Sequence, residues 1–186
     1  MSKIDFFKTF IKDKDVASIV PTSLRCVKKV CTNIDFTKDI TLVEYGPGNG
    51  VFSKYLLEQM TPGSRLIMIE ANEDFAKHLK ETINDPRAEV HNILAGDVET
   101  ILENGESGNV DYVLSGIPFS FLKKDRKKIV LEATKRILKE GGYFLAYQTS
   151  GHLKKPVKEV FGNLETDFEP LNVPPYLIYK VVKNGL

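Results

Sequence analysis

The chain has 186 residues, a length that suits one domain with a substantial core and requires no disulfide or metal to hold it together. Hydrophobic residues make up 42% and charged residues 27%, a balance that excludes a disordered or membrane-spanning polypeptide. Lys plus Arg number 26 against 25 Asp plus Glu, so no global charge bias draws the chain to nucleic acid, and any basic surface must be local.

Ser2 is placed to cap a helix beginning near Lys3, in which Ile4, Phe6, Phe7, Phe10 and Ile11 fall on one arc while Asp5, Lys8, Lys12 and Asp13 take the other. This start is too charged for a secretory signal, and no apolar run approaches the roughly 20 residues that cross a bilayer. The expected location is cytoplasmic, or peripheral on the inner face of the cell membrane. Val20-Pro21-Thr22-Ser23 interrupts the pattern, and LRCVKKVC resumes helical spacing to about Asn33. Cys26 and Cys31 stand five apart within it, on different faces and without another ligand nearby, and read as free structural thiols. The scattered His78, His91 and His152 suggest no metal site.

From Thr41 short apolar runs alternate with amphipathic stretches. TLVEYG, RLIMIE, VHNILAGD and VDYVLSG read as strands; GVFSKYLLEQM and EDFAKHLKETI read as helices, and ETILEN as a helical segment. A basic helix at about Lys123–Lys139, the turn Glu140-Gly141-Gly142 and the strand YFLAYQTS follow. This β-α-β repetition predicts an α/β fold, a parallel sheet with helices on both faces. In the tail, FGNLETDFEP and PPYLIYKVV read as two strands with too short a connection for a parallel crossover, so an antiparallel last strand is expected.

Gly46, Gly48 and Gly50 lie where the first of these strands turns into its helix, the place where open α/β sheets bind ligands. Glycines there bring the main chain to the ligand, and the helix start offers free amide donors. Glu70 ends the second strand 24 residues after Gly46, positioned to accept both hydroxyls of a ribose. A dinucleotide site would also use that acid. Glu44 before the glycines, where a pyrophosphate would meet a negative charge, and Asp97 after Gly96 decide against it: the implied ligand carries cationic groups, a ribose and an adenine.

Glu44-x-Gly46-x-Gly48-x-Gly50, Glu70, Gly96-Asp97 and Ser115-Gly116-Ile117-Pro118-Phe119 together resemble the successive motifs of class I S-adenosylmethionine-dependent methyltransferases. The resemblance implies a Rossmann-like fold with a mostly parallel seven-stranded sheet, an S-adenosylmethionine-binding domain over residues 40–186 and an N-terminal helical extension over residues 1–39. By that likeness Glu44 and the Gly46–Gly50 backbone hold the methionine end, Glu70 the ribose and Asp97 the adenine amino group. Tyr45, Ala71, Gly96 and Ser115 complete the expected cofactor-binding set.

SGIPF is similar to the Asn/Asp-x-Pro-aromatic motif of adenine-N6 and ribosomal RNA dimethyltransferases, but Ser115 replaces the side chain that would accept the amine hydrogens. A closer likeness is to bacterial phospholipid N-methyltransferases that act on phosphatidylethanolamine. It rests on FFKTFI, Val20–Ser23, Glu44–Gly50, Ser115–Pro118 and Pro174-Pro175-Tyr176-Leu177-Ile178-Tyr179 in order. It implies N-methylation of a phospholipid headgroup, with RNA or a small amine as alternative acceptors and a non-catalytic cofactor-binding module as a second alternative. An ammonium of pKa about 10 is roughly one part in a thousand neutral at pH 7, which adds on the order of 4 to 5 kcal/mol to the barrier. A dry aromatic pocket favours the neutral amine and a cationic product. Ser115, Phe119, Tyr147 and Tyr176 are the expected catalytic residues, the three aromatics as pocket walls; His152 is a weak candidate for a base. The Ile4–Ile11 arc with Lys3, Lys8, Lys12 and Lys14 suits either a membrane surface or packing on the domain, and the basic run Lys123–Lys128 suits lipid phosphates, RNA or a solvated helix face.

Overall fold

The computed structural model describes residues 23–102 and 107–184. The amphipathic helix expected at residues 3–13, with its lysines, lies outside the described residues.

Helix α1 (Leu24–Cys31) begins at Ser23, whose hydroxyl accepts from the Cys26 amide at 3.3 Å. Its buried face is Cys26, Val27, Val30 and Cys31, so the two cysteines expected on different faces are both turned inward, and complete burial of each valine contributes about 1.5 to 3 kcal/mol. Burial pushes the thiols of Cys26 and Cys31 up to about 11 and about 12, which keeps them unreactive at neutral pH. There follow β1 (Thr41–Tyr45), α2 (Val51–Gln59), β2 (Arg65–Ile69), α3 (Glu73–Thr82), β3 (Ala88–His91) and a 3-10 helix at Ala95–Ile101. Beyond them come β4 (Val110–Ser115), α4 (Lys124–Ile137), β5 (Leu138–Gln148), α5 (Lys154–Phe161), β6 (Glu165–Glu169) and β7 (Tyr176–Val182).

The seven strands form one sheet in the order β3-β2-β1-β4-β5-β7-β6, in which β7 pairs antiparallel with both neighbours and every other pairing is parallel. Alternation along the strands sorts side chains into two cores. Val43, Tyr45, Ile67, Val113, Phe144 and Val181 pack on one face with α4 and α5. Leu42, Leu66, Met68, Leu145 and Ile178 pack on the other with α1, α2 and α3. The parallel crossovers bring all the strand ends that matter to one edge, above β1 and β4.

Three local expectations are corrected. The third strand stops at His91, because the chain then turns through Asn92, whose side-chain amide donates to the Glu70 carbonyl at 2.8 Å, into the 3-10 helix. The fifth strand includes Gly141–Gly142, accommodated by a register irregularity against β4 and a left-handed Gly141. Helix α5 is not apparent in the sequence: it is short and polar, has Pro156 in its first turn, and buries only Val157 and Phe161.

Candidate active site

Where β1 ends, Gly46, Gly48 and Gly50 all take left-handed φ, of 66°, 56° and 76°. A β-carbon at Gly50 would stand 2.9 Å from the end of the Leu79 side chain, and its residue would have to adopt the left-handed φ of 76°, so a larger residue there is strained. The turn is tied to its neighbours by the Gly46 amide donating to the Ile69 carbonyl at 2.9 Å and by the Gly116 amide donating to the Tyr45 carbonyl at 2.9 Å.

Two carboxylates sit beneath it. Glu44 points to the α2 side of the sheet, is 2% exposed, and accepts from the Ser53 hydroxyl at 2.6 Å. Glu70 is 6% exposed and accepts from the Gly48 amide at 3.1 Å and the Asn72 amide at 2.8 Å. No ion pair among the described residues neutralises either. Burial pushes the Glu44 carboxyl up to about 7, with Glu70's charge adding to the rise and Ser53's hydrogen bond opposing it. Burial also raises Glu70, against the main-chain donors that hold its charged form. Two buried acids close enough for one to raise the other, with no ion pair among the described residues, suit a ligand that brings positive charge to the glycine turn.

Across the cleft, Tyr147 stacks on Phe52 with centroids 4.6 Å apart and meets Tyr176 edge to face at 5.4 Å. A β-carbon placed on Gly116 would collide with the Tyr147 hydroxyl and lie 3.0 Å from the Gly46 carbonyl oxygen. The phenol therefore hangs directly over the gap between Gly46 and Gly116. Burial, with Glu44 and Tyr176 nearby, raises its pKa well above the ordinary tyrosine value, so it stays a neutral hydroxyl.

The expected site residues divide accordingly. Glu44, the glycines and Glu70 come together, with half-buried Ala71 following Glu70. Gly96 and the exposed Asp97 open the 3-10 helix at the end of the same edge. The Tyr45 ring turns into the core on the opposite face, its hydroxyl beside Thr134, leaving the main chain at the cleft. Of the aromatic walls, Tyr147 and Tyr176 stand together, but Phe119 does not join them: it is fully buried in the core on the α4 side. Buried Ser115 accepts from the Ile117 amide at 3.3 Å and so closes its own turn. His152 is exposed, next to the Ser150 hydroxyl.

Three contributors were missed by sequence reasoning. Phe52 and Ser53 lie in an ordinary helical pattern and gain meaning only from what faces them. Gln148, buried at the end of β5, accepts from the Phe119 amide at 3.0 Å and donates to the Ile117 and Tyr147 carbonyls at 2.8 and 2.7 Å. It fastens the SGIPF turn to β5, and its only sequence signal was a polar residue at the end of an apolar strand.

A family model described as a methyltransferase domain matches residues 43–146, more than half of the chain and all of the glycine turn, both acids and the SGIPF turn. The chain belongs to this methyltransferase family. Among curated proteins, this methyltransferase is 28% identical over 179 residues to an ornithine lipid N-methyltransferase of Singulisphaera acidiphila, covering 92% of each chain. Its fold is shared with the precorrin-6y C5,15-methyltransferase of Geobacter metallireducens, at a TM-score of 0.70 and 13% identity over 90% of this chain and 91% of that one. It is shared also with the 1,6-didemethyltoxoflavin-N1-methyltransferase of Burkholderia thailandensis, solved with S-adenosylhomocysteine, at a TM-score of 0.68 and 15% identity over 98% and 87% of the two chains.

The methyltransferase is of class I and its cofactor is S-adenosylmethionine. The residues present fit it: the paired acids suit a ligand with an ammonium, a sulfonium and ribose hydroxyls, and above Gly48 a β-carbon would meet nothing within 4 Å. Among the described residues no group of His, Cys, Asp or Glu has metal-binding geometry, and no helix is long and apolar enough to cross a membrane.

Proposed function

We propose that this methyltransferase N-methylates the amine headgroup of a membrane phospholipid such as phosphatidylethanolamine. The observation that carries the reading is the neutral Tyr147 hydroxyl over the Gly46–Gly116 gap, flanked by Phe52 and Tyr176. When bound, S-adenosylmethionine would supply an electrophilic methyl on a cationic sulfur, open to a nitrogen lone pair, with S-adenosylhomocysteine as the leaving group. Glu44 and the Gly46–Gly50 main chain hold the methionine end, Glu70 the ribose hydroxyls, and Asp97 the adenine amino group. Tyr45, Ala71, Gly96 and Ser115 contribute at the cleft through their main chain.

On the acceptor side, the missing side chain of Gly116 leaves room for the Tyr147 hydroxyl to sit close to the Gly46 carbonyl. The phenol oxygen of Tyr147 accepts one N–H group of the acceptor amine and fixes the line of attack. Phe52, Tyr147 and Tyr176 form a low-dielectric wall that disfavours the ammonium and stabilises the methylated cation against aromatic faces. Because Tyr147 stays protonated, it positions the amine and takes no proton; the amine loses its proton to water on entering. Gln148 keeps the turn in register with Tyr147.

The segment before residue 40 serves the substrate or membrane side, and residues 40–186 bind the cofactor. The protein works at the surface of a membrane. A second reading, transfer to the amine of an ornithine lipid, is supported by the relative that this chain matches over 92% of its length.

Incubation of the purified protein with methyl-labelled cofactor and separate vesicle, RNA and soluble-amine preparations tests these readings together. Label in the phosphatidylethanolamine fraction, in stepwise methylated products, is expected. Label in ornithine lipid alone moves the assignment to the second reading. Label confined to RNA or soluble amines removes both, and cofactor binding without any labelled product removes catalysis.

A further inference from the structure

The connection between β6 and β7 reverses the usual order of inside and outside. Glu169 and Asn172 are both buried, whereas Leu171 is 63% and Val173 is 72% exposed. A loop in water ordinarily turns its polar side chains out. Here the inverted arrangement is fastened: the Glu169 carboxylate accepts from the Leu171 amide at 3.0 Å, and the Asn172 side chain donates to the Pro174 carbonyl at 2.9 Å and accepts from the Ser23 amide at 3.1 Å. The two apolar side chains are thus held outward by buried hydrogen bonds.

Their position bears on the site. Strand β6 runs parallel to β1 and β7 returns against it, so this loop lies at the sheet edge that carries the cofactor cleft. It leads directly into Tyr176 of the aromatic wall. At the same edge, exposed Lys123 and Lys124 open α4 and exposed Lys154 and Lys155 open α5, and the short turns preceding these two helices pack side by side. Two outward side chains offer far less than the roughly 800 Å² per partner of a stable protein interface. They suit shallow insertion between lipid headgroups, with the lysines meeting anionic phosphates.

We propose that the Leu171–Val173 tip, backed by the Lys123–Lys124 and Lys154–Lys155 pairs, docks this edge on an anionic phospholipid bilayer and presents the aromatic cleft to the lipid surface. This deepens the lipid-acceptor reading and rests on it. It places a contact with the membrane at the end of the chain opposite to the N-terminal extension.

The test is vesicle sedimentation of the full chain. Vesicles of phosphatidylcholine alone are compared with vesicles containing phosphatidylglycerol, at low and high salt. The Leu171→Ser/Val173→Ser variant should partition at least ~10-fold more weakly onto both, since two side chains no longer leave water. The Lys154→Glu/Lys155→Glu variant should lose ~10-fold or more on phosphatidylglycerol vesicles only, with the difference shrinking at high salt. Melting temperature and cofactor affinity should match those of the native protein in both variants, because none of these side chains is in the cleft. Unchanged partition of the serine variant overturns the proposal, as does a concentration-dependent dimer that this variant abolishes without any vesicle binding. Vesicle binding carried by the tip but without methylation of any lipid leaves the docking surface standing and removes the acceptor. Labelled phosphatidylethanolamine from a protein whose serine variant partitions unchanged does the reverse.

Discussion

The two halves of the reactive edge are built on different principles. Above β1 and β2, recognition is polar and buried: Glu44 and Glu70 are held by a hydroxyl and by main-chain amides, all within about 30 residues of sequence. Above β4, β5 and β7, it is aromatic and assembled from afar. Phe52, Gly116, Tyr147 and Tyr176 meet although they are spread across most of the chain. A charged ligand of fixed shape calls for the first arrangement. The proposed acceptor, an amine that arrives neutral and leaves as a larger cation, calls for the second.

If the halves are functionally separate, substitutions in each should disturb different constants. The largest effect is expected from Glu44→Gln. Removing one partner of a buried charge interaction typically costs about 3 to 5 kcal/mol, so cofactor affinity should fall roughly 150- to 4000-fold by calorimetry. The same variant should melt higher without cofactor. Glu44's carboxyl is raised in the folded protein, so its contribution to stability is full below the ordinary carboxylate range and is lost as pH rises through about 7. At pH 8 the glutamine form should be the more stable by on the order of 3 kcal/mol. Native cofactor binding should weaken as pH falls below 7, whereas the variant's weak binding should lack that dependence.

Next in size, Gly116→Ala should lower kcat roughly 10- to 100-fold, since its methyl group would displace the Tyr147 hydroxyl, while cofactor affinity changes little. Gln148→Leu leaves one amide and two carbonyls without their partner, at about 1 to 3 kcal/mol. Its expected signature is a roughly tenfold rise in acceptor KM in steady-state assays. A matching loss of cofactor affinity would break the division between the halves. The smallest change is expected from Asp97→Asn: at an exposed position one adenine contact contributes little, and cofactor Kd should rise only a few-fold in the same calorimetric titration.

The same contrast governs what could be read in advance. The alternating strands and helices and the antiparallel last strand were legible, and the acids at the ends of the first two strands could be picked out, because parallel β-α-β units mark each strand end by the close of an apolar run. The aromatic cleft has no such marker. Tyr147 and Tyr176 were recognisable as candidates from neighbouring motifs, but Phe119, equally plausible in sequence, turns to the other face because the SGIPF turn reverses direction before it. Phe52 and Gln148 depend on which face of a helix or strand looks into the cleft, a property of packing. The inverted 170–175 loop was hidden for the related reason that exposure is not written in residue type: Asn172 would be assigned outward and Leu171 inward on polarity alone.

Strand β7 runs against both of its neighbours. The hairpin it forms with β6 therefore leaves the body of the sheet at the far edge, turns at the reactive edge and returns, touching the reaction only through Tyr176 and the loop before it. If Tyr176 walls the acceptor as proposed, exchanging the β6–β7 hairpin alone should alter acceptor preference and leave cofactor affinity unchanged.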